Sequence, residues 1–123
     1  MDITETYIKM SDHPLIQGQW EPREGDVYIG KESRFFSIYA GACTDYINGI
    51  DIWLPRQDQI QEMLGGGGKC GCTVCLVTGL YHFMENNLEG MFEAGIEGTM
   101  ELLWLAFYMH EKHNLKWEDG KWQ

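Results

Sequence analysis

The segment from Thr99 to His113 leaves this chain the least freedom. Thr99 is a capping residue, Met100, Leu103, Trp104 and Phe107 form one stripe at helical spacing, and Lys112 and His113 sit in the last turn, where they complement the dipole. The apolar face is broad, which predicts the central helix of a core. The rest of the chain must supply the layers that cover it.

Those layers can be read in outline. Thr4 to Met10 places Tyr7, Ile8 and Met10 near one side and predicts a short helix, ended before His13-Pro14 because the residue preceding proline is pushed out of the helical region. A turn-rich link follows through Trp20-Glu21-Pro22 and Glu24-Gly25-Asp26. Val27-Tyr28-Ile29 and Phe35 to Tyr39 flank the polar Gly30-Lys31-Glu32-Ser33 connection and read as a hairpin, while Ile50 to Trp53 alternates as a third strand. Gly41 to Asn48 is irregular. Pro55 suits the first position of a helix over Arg56 to Leu64, with Ile60, Met63 and Leu64 inward, Asp58 near the N-terminus and Gly65 as the stop. Gly65 to Gly68 is a flexible connector, and the apolar run Cys72 to Met84 is read as helix on length. A chain of 123 residues is expected to form one domain. The expected fold is α+β, a small antiparallel β-sheet packed against two to four helices in a single compact domain.

Charge narrows the partners. Nineteen acids against nine Lys and Arg give a net charge of −10, which opposes binding to nucleic-acid phosphates or anionic lipid and favours a partner with a basic surface. Solubility alone also accounts for such acidity. The apolar stretch Leu102 to Met109 is far shorter than the roughly 20 residues of a membrane span. Met1 to Glu5 carries acids where a signal peptide would be basic, so a cytoplasmic location is expected. In that compartment the four cysteines are expected as thiols or metal ligands rather than disulfides.

Several motifs invite chemistry. Gly65 to Cys70 lacks the first glycine and the Ser or Thr of a phosphate loop, and a predicted helix rather than a strand precedes it. Cys43, Cys70, Cys72 and Cys75 could offer four thiolates to zinc, although the apolar residues after Cys72 suit buried thiols better; no other cofactor is expected. His110 and His113 stand at i and i+3, not the i and i+4 of zinc proteases, and suit a helix C-terminus. His82 reads as a core or boundary residue. Glu85, Glu89, Glu93, Glu97 and Glu101 recur at every fourth position. On a continuous helix each step would rise about 6 Å, near phosphate spacing, which makes Glu85, Glu89, Glu93 and Glu97 candidate partner-binding residues. Gly90, Gly95 and Gly98 argue against one long helix, and Met91, Phe92 and Ile96 call for burial, so a solvated face is the competing reading.

Two longer stretches carry a resemblance. Ile52-Trp53-Leu54-Pro55-Arg56-Gln57-Asp58-Gln59-Ile60-Gln61-Glu62-Met63 and Met100 to Lys112, the latter followed by Trp117-Glu118-Asp119-Gly120-Lys121-Trp122, resemble a family of small phage and prophage proteins of Gram-positive bacteria. Tyr7-Ile8-Lys9-Met10 and Gln19-Trp20-Glu21-Pro22 are similar to that family's opening. The resemblance implies a phage accessory protein in a bacterial cell and assigns no residue roles. With the acidity, it yields the expectation of a non-catalytic protein that inhibits a host macromolecule, such as a CRISPR-type defence effector. A small-ligand or zinc module around residues 65–75 and a structural phage component are the alternatives.

Overall fold

The computed structural model describes residues 2–39, 51–65, 73–95 and 98–123. Thr4 caps α1 (Glu5–Ser11) through its side chain, and His13 caps a single helical turn, α2 (Pro14–Gln17), inside what reads as a plain link. Proline at the first position of α2 loses no hydrogen bond there. Then come β1 (Val27–Gly30), β2 (Phe36–Ile38) and β3 (Asp51–Leu54), all antiparallel in the order β2-β1-β3. The hairpin and third strand therefore form as the alternation predicts.

Both faces of β1 and β3 are covered. Ile29 stands opposite Ile52, and Val27 opposite Leu54, on the face towards α1. On the other face Trp20 stacks on Trp53 with ring centres 6.2 Å apart and tilts against Tyr28 at 5.9 Å. Gln17 closes the outer side of β3 by imitating a neighbouring strand. Its amide accepts from the Trp53 N–H at 2.9 Å and donates to the Trp53 carbonyl at 2.9 Å.

Pro55 is not the first residue of α3 (Gln57–Met63), as expected, but precedes its N-cap, Arg56. The Gln59 side chain accepts from the Arg56 N–H at 2.9 Å, so the start of α3 is fixed by a capping contact rather than by the proline ring. The apolar run after residue 72 is helical and longer than its apolar part: α4 (Thr73–Ala94) passes through Gly79 and Gly90 and stops at Gly95, whose φ is +73°. Glycines inside a helix cost about 1 kcal/mol each. Gly79 faces α5 (Met100–His113), where a Cβ would lie 3.0 Å from the Phe107 ring, so close approach accounts for this one.

Helix α5 packs against α1, α3 and α4, with Trp104, Leu105, Phe107 and Met109 buried, and is the central helix of the core. Thr99 caps it as expected, and Asn114 ends it in the left-handed conformation. The buried Asp2 carboxylate ties the chain's start to this cap, accepting from the Thr99 hydroxyl at 2.6 Å. A second hairpin, β4 (Trp117–Glu118) and β5 (Lys121–Trp122), turns through Asp119 and Gly120, both at positive φ. That pair is the signature of a tight two-residue turn. Trp122 anchors the hairpin by donating to the Met10 carbonyl at 2.9 Å. Among the described residues no helix is long and apolar enough to cross a membrane.

Tyr7 shows how tightly α1 is held. Its hydroxyl donates to the Pro55 carbonyl in the core. Burial, then the negative charges of Glu101 and Asp2, push its phenol well above the ordinary 10.0. The folded chain thus keeps this proton to higher pH than the unfolded chain. The resulting stability is fully present below about pH 10 and is lost as pH rises through the folded value. Urea midpoints should therefore fall between about pH 9 and about pH 11, and less steeply in Tyr7→Phe. A residual slope is expected because burial also raises Tyr108. Equal slopes in the two proteins would rule out Tyr7 as a source.

Candidate partner-binding face on α4

Helix α4 has two unlike sides. Leu76, Leu80 and Met91 are buried in the core, and Phe83 meets Phe107 with ring centres 5.5 Å apart. The opposite side carries Glu85, Glu89 and Glu93, all exposed. Contrary to expectation, Gly90 does not break the helix, so these three stand on one element, each step rising about 6 Å. The series divides after Glu93: Glu101 belongs to the first turn of α5, and Glu97 lies outside the described residues.

The placement of these acids is costly to the helix itself. Between Thr73 and Ala94 the sequence has no Lys or Arg. Like charges at i and i+4 repel by a few tenths of a kcal/mol per pair, and anions near a helix C-terminus oppose its dipole. Among the described residues, the Lys and Arg ion pairs take Glu5, Asp12, Asp26, Asp58, Glu62 and Glu118, and no glutamate of α4. Glu85 meets His82 at 3.7 Å, with both side chains exposed. His82 is therefore exposed, on the rim of α4 that faces the end of α5, and not in the core.

The same side carries a stripe that reading the sequence missed. Val74, Val77, Tyr81, Leu88 and Phe92 are each between 51% and 73% exposed. Phe92 in particular is on the surface, where burial was expected, while its neighbour Met91 takes the core position. The spacing of the stripe was present in the sequence. An apolar run that is helical all round reads as buried on every side, which concealed it.

A groove of about 770 Å³ separates α4 from the end of α5, lined by His82, Asn86, Asn87, His110, Glu111 and Lys112 among others. Phe83 tilts against His110 at 5.1 Å, and His113 meets the Tyr108 hydroxyl at 3.3 Å. No hydrogen bond joins His82, His110, Glu111 or Lys112 to one another, so these titratable groups line one groove without forming an acid–base pair. Cys75, at the start of α4, is disulfide-bonded, with its partner outside the described residues. At Cys75 this differs from the expected thiol, since a sulfur held in a disulfide is not a thiolate. Cys43, Cys70 and Cys72 lie outside the described residues, as does the Gly66 to Cys70 stretch. Among the described residues no cluster of three or more His, Cys, Asp or Glu is arranged to hold a metal ion. No protein-family model, curated protein or solved structure matches this chain.

Proposed function

We propose that the protein is a non-catalytic binding protein that engages a basic surface on a macromolecular partner through the outward side of α4. The observation that carries this reading is the placement of Glu85, Glu89 and Glu93 on a helix that has no Lys or Arg and is locally destabilised by them. A sequence that violates a local rule without local gain does so for a use elsewhere. The overall charge of −10 favours the approach of a cationic partner. Within the bacterial setting that the phage-family resemblance implies, a host-defence protein with a cationic nucleic-acid channel, such as a CRISPR-type effector, is the partner class that fits. An acidic domain seated in such a channel would block it.

The test is capture of basic proteins from a Gram-positive bacterial lysate at low salt, with elution as salt is raised. The variant carrying Glu85→Gln, Glu89→Gln and Glu93→Gln should recover roughly tenfold less, the low end of electrostatic steering effects. Recovery no greater than background, or equal recovery by the variant, would refute the proposal.

A further inference from the structure

The exposed apolar residues of α4 are spaced as a seam. Val74, Val77, Tyr81, Leu88 and Phe92 follow steps of three, four, seven and four, and Glu85 divides the seven-residue step into four and three. At 100° per residue the five apolar side chains fall within an arc of about 60° and run for about 27 Å. Glu85, Glu89 and Glu93 all lie on one side of that arc, Glu85 nearest, about 20° beyond its edge and near the middle of its length. This three-four rhythm is the one by which two helices interlock, and charges flanking such a seam set partner choice and orientation.

We infer that the outward side of α4 is a docking seam for a cationic amphipathic helix of the partner, with the five apolar residues as anchors and Glu85, the flanking acid nearest them, as the charge that orients it. This rests on the binding function proposed above and adds the shape of what is bound. The occupant follows from charge. Cations along the partner match Glu85, Glu89 and Glu93, and α4 of a second copy has no Lys or Arg to supply them. A lipid surface is also a poor match, because helices that lie on membranes carry Lys and Arg on the polar side, where α4 carries acids.

Three synthetic peptides of about 21 residues, six turns of helix, test the inference by fluorescence anisotropy at low and moderate salt. The first places leucine at three-four spacing and lysine alongside. The second has the same composition scrambled so that no stripe forms, and the third replaces lysine with glutamate. The first should bind at least tenfold more tightly than the second, and the third should not bind. Leu88→Ser with Phe92→Ser should weaken the first by tenfold or more while leaving the circular dichroism and melting curve unchanged. Glu85→Gln should weaken it and flatten its salt dependence.

Equal binding of the first two peptides, or indifference to Leu88→Ser with Phe92→Ser, would overturn the seam and leave electrostatic binding standing. Binding of neither lysine peptide at low salt would overturn the binding function itself. Two further outcomes would also overturn the inference. One is a dimer in light scattering that Leu88→Ser with Phe92→Ser abolishes. The other is sedimentation with phosphatidylcholine vesicles that the same variant loses.

Discussion

Trp104→Ala is expected to lower the free energy of unfolding by about 3–5 kcal/mol. The indole is 2% exposed on the helix that α1, α3 and α4 all contact, and its ring lies 6.1 Å from that of Phe107. Its N–H has no acceptor among the described residues, so truncation removes packing without removing a hydrogen bond. The loss is then that of a large side chain from a core that cannot collapse around the space. Domains of this size have about 5–15 kcal/mol in total, so the variant should be marginal. Urea unfolding followed by circular dichroism should show a midpoint lower by on the order of 2 M. A loss under about 1 kcal/mol would mean that α5 is not the centre of the core.

Asp26→Ala should be comparably damaging, by about 3–5 kcal/mol, for a different reason. The Asp26 carboxylate is fully buried and accepts from the Gln59 amide at 2.6 Å, the Arg23 N–H at 2.9 Å and the Trp20 indole at 3.0 Å. Arg56 donates to it at 3.2 Å as well. One side chain thus joins the link after α2, the start of β1 and the first turn of α3. Alanine would remove the carboxylate that accepts from the buried Gln59 amide, the Trp20 indole and the Arg23 N–H, whereas Arg56 keeps the Gly25 carbonyl and Asp58 as acceptors. Buried donors that lose an acceptor cost more than the bonds themselves contribute. Because the carboxylate is shielded from solvent, the loss should change little with salt, unlike partner binding through α4. Calorimetric unfolding at low and high salt tests this. A loss under about 1 kcal/mol, or one that salt removes, would show that the network does not organise the fold.

The elements that reading the sequence recovered are those whose local chemistry and burial agree. Thr99 and Thr4 cap where they should, the two runs around Gly30 pair, and Trp104 is inside. Misreadings arose where tertiary contacts decide. Pro55 has the φ of a helix start, but its carbonyl is taken by Tyr7 and the capping contact falls one residue later. Gly90 reads as a breaker, yet α4 continues through it. Asp119-Gly120 between two tryptophans carries a hairpin signal in the sequence, and the structure forms that hairpin. Gln17 imitates a strand across 36 positions of sequence, a contact that periodicity cannot foresee.

The candidate face was half legible. The glutamate repeat points to three of its members, while Val74, Val77 and Tyr81 stand in an apolar run that reads as buried on every side, and Phe92 stands among residues expected to be buried. The disulfide at Cys75 has no signal in the sequence, since cysteine spacing along a chain does not say which sulfurs meet.

Helix α4 divides its duties by side: the residues that hold it to α5 and those that face outward are different sets. Exchanges at Val77, Tyr81, Glu85, Leu88 and Phe92 should mostly stay within about 0.5 kcal/mol of the parent in stability. Recognition can therefore drift or be redesigned at nearly constant foldedness, and the chain offers a frame on which new specificities can be selected from a library confined to one helix.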